Sequence, residues 1–227
     1  MKQTILQKIP PNVTVVAVTK TFPFQMVEEA FDAGLLHIGE NRVEEAEVKI
    51  EQAKQRHMAG IVWHMIGHVQ SRKVAAAVKM FDWIDSVDTV GLLKNIDVAA
   101  QTLQKNQKIL LEINCSGEET KFGFDLARWE DNPVKCNRFI EVIRGCSSFH
   151  NIYLGGLMTM APYVTDAEKN RSIFRSVSAL SSLIRAQIPE FGAQLSMGTS
   201  CDWQVAIEEG ATQVRLGEAL FGRRNYE

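Results

Sequence analysis

A lysine stands at the end of a strongly apolar segment. Val13-Thr14-Val15-Val16-Ala17-Val18 is a near-continuous β-branched run, and Thr19-Lys20 follows it directly. Such a run suits a strand buried on both faces of a parallel sheet. An amine drawn toward that interior has its charged form disfavoured by desolvation, which makes a nucleophile suited to Schiff-base chemistry. The same position also lets the side chain snorkel to solvent, and position alone leaves both readings open.

Two later clusters suit an anion. Ser196-Met197-Gly198-Thr199-Ser200 and Arg215-Leu216-Gly217-Glu218 each follow a short apolar run. Small residues permit close backbone approach, Ser200 adds a hydroxyl, and two such loops on adjacent strands of a barrel suit a phosphate. An ordinary turn uses the same residues, with Ser200 or Asp202 capping a helix from Trp203. Other polar residues read as less specific. His64 and His68 are four apart but straddle a strand end, so metal-ligand geometry is not implied, and no metal site is expected. Ser71-Arg72-Lys73 and the acids Glu44, Glu45 and Glu47 read as solvated helix faces. Trp63, Trp83, Trp129 and Trp203 are dispersed and read as packing residues, not as a stacking platform for bases.

The elements that must position these residues alternate along the whole chain. Strands are predicted at Val13–Val18, Leu35–Gly39, Ile61–Gly67, Trp83–Val87, Lys108–Asn114, Tyr153–Met158, Gln194–Met197 and Gln213–Gly217. Between them helical patterns run from Pro23 to Gly34, Val43 to His57, Ser71 to Met80, Val90 to Leu103, Lys135 to Ser147, Ala167 to Gln187 and Trp203 to Glu209. Eight strands alternating with helices predict right-handed βαβ units and an α/β fold: a single (β/α)8 TIM barrel of eight parallel strands over residues 1–227. An open doubly wound sheet is the other arrangement, but no feature marks the strand-order switch it needs. In a barrel, the residues just past each strand form the active face.

Composition limits the partners. The 227 residues are 45% hydrophobic and 23% charged, as expected for a globular chain. With 25 basic against 27 acidic residues, the weak overall field gives no reason to expect nucleic acid or a membrane surface. The N-terminus, Met1 to Pro10, lacks the pattern of a signal peptide. Cys115, Cys136, Cys146 and Cys201 lack close pairs and do not resemble a disulfide framework, which fits a reduced cytoplasm. Cys115 and Cys201 read as strand-end residues.

Seven blocks in order carry a family likeness: Val16-Ala17-Val18-Thr19-Lys20, His37-Ile38-Gly39-Glu40-Asn41, Trp63-His64-Met65-Ile66-Gly67-His68-Val69-Gln70-Ser71, Ser116 to Gly123, Gly156-Leu157-Met158-Thr159, Leu195-Ser196-Met197-Gly198 and Val214-Arg215-Leu216-Gly217. Together they span nearly the whole chain. The sequence resembles the pyridoxal phosphate homeostasis protein family, whose fold is similar to the N-terminal barrel of alanine racemase. The resemblance implies that pyridoxal 5′-phosphate (PLP) is held as an aldimine on Lys20. It implies a phosphate held by Ser200 and the backbone amides of Gly217 and Glu218, with Arg215 beside the cofactor. Asn41 is then expected to line the ring pocket, with His64, Met158 and Ser196 nearby.

If Arg215 faces the pyridine nitrogen, its fixed charge keeps that nitrogen unprotonated and weakens the electron sink, which favours holding PLP over broad carbanion chemistry. The expected role is therefore to carry or buffer PLP in vitamin B6 and amino-acid homeostasis, as a cytoplasmic monomer meeting PLP-dependent apoenzymes transiently, with no catalytic residue assigned. The alternative is a PLP-dependent amino-acid racemase of low activity. The chain ends at Glu227, soon after the eighth strand, so the second base that alanine racemase takes from a further domain is not expected. Three positions depart from the family pattern: Thr199 and Cys201 stand where Met and an acidic or small residue are more usual, and Glu218 where Thr or Ser is common. The Glu218 carboxylate is expected to point away from the phosphate, and the leading helix before Val13 is short.

Overall fold

The computed structural model describes residues 2–118 and 121–222; of the residues read above, Met1, Glu119, Thr120 and Glu227 lie outside them. The strands are β1 (Thr14–Val18), β2 (His37–Glu40), β3 (Val62–Met65), β4 (Trp83–Val87), β5 (Gln107–Asn114), β6 (Phe124–Asp125), β7 (Ile152–Thr159), β8 (Gln194–Ser196) and β9 (Gln213–Leu216). The helices are α1 (Gln3–Leu6), α2 (Gln25–Asp32), α3 (Val43–Gln55), α4 (Val74–Met80), α5 (Val90–Thr102), α6 (Pro133–Gly145), α7 (Arg171–Gln187), α8 (Trp203–Glu208) and α9 (Glu218–Phe221).

Parallel pairing runs β1–β2–β3–β4–β5–β7–β8–β9 and returns from β9 to β1, which closes an eight-stranded barrel. Closure removes both sheet edges and excludes the open doubly wound sheet. The two-residue β6 lies outside the ring, paired with the end of β5 at Ile113 and Asn114. Its length is below what a periodic pattern can signal. Strand ends shift by one or two residues from the predicted ones. The predicted strand to Gly67 stops at Met65, and Gly67 turns onto Asn41 so closely that a Cβ would lie 2.5 Å from the Asn41 carbonyl oxygen.

Alternation along the strands sorts two interiors. Trp63, Ile84, Ile109, Leu111, Ile113, Leu195, Val214 and Leu216 belong to the main apolar core together with the inward faces of the helices. Inside the ring the apolar cluster is small, comprising Trp83, Leu110 and Met158. Val16 and Val18, in register with Arg215 and Gly39, are also buried inside the ring, and the inward positions of the other strands, two residues apart, include a buried polar set: His64, Asp85, Glu112, Ser196, Gln213 and Arg215. The strands therefore carry an apolar outer face and a lumen that holds a buried polar set.

The β5–β7 pair contains a register shift, with Ile109 opposite Leu154 and Leu110 opposite Gly156, so Gly155 is the extra residue of a bulge. Gly156 has φ 146°, and a Cβ there would meet the Gln194 carbonyl oxygen at 2.1 Å. Helix starts follow local chemistry. Thr89 accepts from the Leu92 amide at 3.2 Å to cap α5, and Asn132 accepts from the Lys135 amide at 3.1 Å ahead of Pro133 in α6. No helix among the described residues is long and apolar enough to cross a membrane.

Candidate functional site

The C-terminal ends of the barrel strands carry the loops that contain most of the predicted site. Lys20 is half-buried, two residues beyond β1. The preceding Thr19 is fully buried, and its amide donates to the Gly39 carbonyl at 3.1 Å, so the pairing of β1 with β2 continues to the residue before the lysine.

Arg215 rises from β9 into the lumen and is 4% exposed. One terminal nitrogen donates to the Ser196 carbonyl at 2.8 Å and the Ser196 hydroxyl at 2.7 Å; the other reaches the Thr159 carbonyl at 2.8 Å and the Met160 sulfur at 2.9 Å. Burial lowers the Arg215 pKa below its ordinary value, and Asp85, Glu112 and Asp202 offset only part of that shift. Burial also pushes the Glu112 carboxyl up to about 7, against the pull of Arg215 and with a further push from Asp88.

Below Arg215 a chain of hydrogen bonds crosses the lumen. Gln213 Nε2 donates to the Ser196 hydroxyl and to Asp85, both at 2.9 Å. Asp85 faces His64 Nδ1 at 3.0 Å, and His64 Nε2 lies 2.9 Å from His37 Nδ1. With Asp85 as acceptor, the shared proton belongs to His64 Nδ1, and Nε2 accepts from His37. The Trp83 ring stacks on His64 at an interplanar angle of 2°. His64 is thus a packed lumen residue, within β3 as its place in the predicted strand implied. Met158 packs on Trp83 and Leu110, in register with Glu112 and Ser196.

The loop after β8 is shaped by Gly198, at φ 89°, where a Cβ would come within 2.5 Å of Ala206 Cβ. Asp202 is buried and accepts from the Thr199 amide at 2.7 Å and its hydroxyl at 3.0 Å, while Asn170 donates to its other oxygen at 2.7 Å. Asp202 therefore braces its own loop, and its side chain makes no capping bond to α8. Ser200 does not cap α8 either; its hydroxyl turns to the other loop and accepts from the Gly217 amide at 3.2 Å and the Ala219 amide at 3.0 Å. The second amide on the Ser200 hydroxyl is that of Ala219. The Glu218 side chain is exposed, and Cys201, also exposed, lies in the loop between β8 and α8 and not at a strand end.

Of the predicted residues, the structure joins Ser196 to Arg215 and Ser200 to Gly217. Asn41 is placed by its packing on Gly67, at the end of β2. His68, past β3, bonds Asp88 at 3.0 Å and stacks on Phe122 with centroids 4.4 Å apart. Two surface cavities, of about 660 and 670 Å³, lie elsewhere: one at the N-terminal barrel end against Trp83, Lys108 and Tyr153, the other between α5 and α6.

Sequence reasoning missed a buried cluster beside Lys20. Lys49 is 4% exposed and donates to the Thr19 carbonyl at 2.7 Å, Glu40 at 2.7 Å and Glu45 at 2.8 Å. Burial raises the pKa of Glu40; Lys49 and Thr19 pull it down, and Glu45 pushes it up. Glu44 and Glu47 are exposed as expected, but Glu45 is a correction: it turns inward to Lys49 and to the Thr21 amide. The available signal was a lysine on the stripe of Ala46, Ile50 and Ala53 in α3.

A family model described as alanine racemase, N-terminal domain, matches residues 3–225. The pyridoxal phosphate homeostasis protein of Vibrio alginolyticus is 33% identical over 220 residues, covering 96% of this chain and 90% of its own length. PipY of Synechococcus elongatus PCC7942, solved with PLP bound, is 32% identical and superposes with a TM-score of 0.85 over 97% of each chain. Alanine racemase of Clostridium difficile 630, at 14% identity and a TM-score of 0.76, covers 99% of this chain and 59% of its own, a likeness of fold alone.

Proposed function

Since the chain belongs to the alanine racemase N-terminal domain family and, within it, to the pyridoxal phosphate homeostasis proteins, we propose that it binds PLP at the barrel mouth, with Lys20 as the covalent anchor, and carries or buffers it. The observation that carries this reading is the meeting of the two C-terminal loops at Ser200. A hydroxyl and the amides of Gly217 and Ala219 converge there, beside a buried guanidinium two residues earlier in the chain.

The residues fit the cofactor's charges. A phosphate is an acceptor, and the Ser200 hydroxyl with the amides after Leu216 supplies donors in a loop that Gly198 allows to approach closely. Glu218 keeps its carboxylate at the surface, and its amide belongs to the same cradle. Arg215 is held by four acceptors, so its charge stays fixed at one place in the lumen. Asn41 and Ser196 border the ring, and Met158 forms part of its floor. When bound, PLP supplies an aldehyde for amines and an electron-withdrawing ring. The protein's part is to bind, orient and shield it, with Lys20 as tether. On this reading one domain works as a monomer in the cytoplasm, meeting PLP and, transiently, PLP-dependent apoenzymes.

The test is an absorbance spectrum of PLP-saturated protein before and after borohydride. A band near the visible edge that borohydride abolishes, and that Lys20→Ala lacks, is the expected result. A saturated sample without that band overturns the reading.

A further inference from the structure

We propose that Lys49 is the positioning residue for Lys20: with Glu40 and Glu45 it clamps the backbone on both sides of Lys20 and so directs the Lys20 amine to the barrel mouth. The inference rests on Lys20 being the anchor. An ammonium has three donors, and Lys49 uses all three at 2.7 to 2.8 Å on the Thr19 carbonyl, Glu40 and Glu45. The Thr19 hydroxyl donates to the same Glu40 oxygen at 2.5 Å, and the Thr21 amide donates to the Glu45 oxygen that binds Lys49, also at 2.5 Å. The residue before Lys20 is therefore held through its carbonyl and side chain, and the residue after it through its N–H.

The clamp holds a conformation the chain otherwise avoids. Thr21 has φ 62°, a left-handed value that β-branched residues rarely adopt. Strain of this kind persists only where surrounding contacts over-determine it, and here it lies next to the proposed reactive amine. Simple packing does not account for the cluster. Lys49 sits on the buried stripe of α3, where an apolar side chain would fill the space without desolvating a charge, and buried ion pairs are weak contributors to stability. The second Glu40 oxygen is buried without a hydrogen-bond partner among the described residues, a further cost retained at this place.

The experiment uses the full chain in four forms: Glu45→Ala, Glu45→Gln, Glu45→Ala with Thr21→Gly, and Lys49→Met with Glu40→Gln, which removes both buried charges together. Three readouts are taken on each folded variant. Hydrogen exchange of the Thr21 amide and competitive reductive methylation of Lys20 are measured without cofactor, and the fraction of Lys20 trapped by borohydride is measured at limiting PLP. Loss of one hydrogen bond to a charged group predicts about tenfold faster exchange and about tenfold less trapping for Glu45→Ala and for the Lys49/Glu40 pair. Glu45→Gln keeps an acceptor for Thr21 and retains most of both. Glycine at 21 adopts the left-handed region freely and restores trapping in the Glu45→Ala background. Wild-type exchange, labelling and trapping in folded Glu45→Ala overturn the clamp, even if the Lys49 pair fails to fold. No trapped Lys20 in the wild type overturns the anchor itself, whereas the cofactor-free readouts still decide whether the clamp exists.

Discussion

Arg215 and Ser196 are joined twice: one guanidinium nitrogen donates to the Ser196 carbonyl at 2.8 Å and to its hydroxyl at 2.7 Å. The same hydroxyl also accepts from Gln213, so a single side chain couples β8 to two residues of β9. Ser196→Ala removes an acceptor from both donors while sparing the carbonyl. We expect about 1–2 kcal/mol of lost stability, read from urea unfolding. Arg215→Lys is expected to cost more, because an ammonium cannot span Ser196 and Thr159 as a planar fork does.

Glu112 gives the protein a pH dependence on the alkaline side of its carboxylates. Its pKa is raised from 4.5 to about 7, chiefly by burial, so the folded state favours the protonated form. The stability it contributes is full below about 4.5 and is lost as pH rises through about 7. Glu112→Gln, which cannot ionise, should therefore gain on the wild type by on the order of 3 kcal/mol between pH 4.5 and 8, as measured by unfolding midpoints at each pH. Parallel curves for the two proteins would contradict this.

His37 acts with the opposite sign. Burial and the neighbouring His64 lower its pKa from 6.5 to about 4, partly offset by Asp85 and Asp82. The fold thus favours the neutral ring, and this stability is present above about 6.5 and lost as pH falls through about 4. His37→Gln should move the acid unfolding transition to lower pH, as followed by tryptophan fluorescence.

Gly198→Ala tests the loop proposed to hold the phosphate. Its φ of 89° and the 2.5 Å approach to Ala206 require the loop to move, at about 2–4 kcal/mol. The displaced Ser200 should then lose its contacts with Gly217 and Ala219. Wild-type protein should prefer PLP over pyridoxal in equilibrium binding, and the variant should lose most of that preference.

The alternation of β-branched runs with amphipathic helices made the barrel legible, because each strand is flanked by a recognisable helix. Strand Trp83–Val87 was predicted to the residue, whereas β6 was invisible because two residues have no period. The loops holding Ser200 and Gly217 were legible from their small residues. The polar lumen was not, since Asp85, Glu112 and Gln213 look like scattered polar residues until the period-2 register turns them to one face. Lys49 and Glu45 were missed for a related reason: acids and bases in a helix are usually solvated, and only the apolar neighbours Ala46, Ile50 and Ala53 mark Lys49 as buried.

Whether Lys20 anchors PLP is read directly from a peptide mass map of PLP-saturated protein reduced with borohydride. A stoichiometric adduct on the peptide containing Lys20, and none in Lys20→Ala, is the expected result. An adduct spread over surface lysines, or retained at wild-type level in Lys20→Ala, would contradict it.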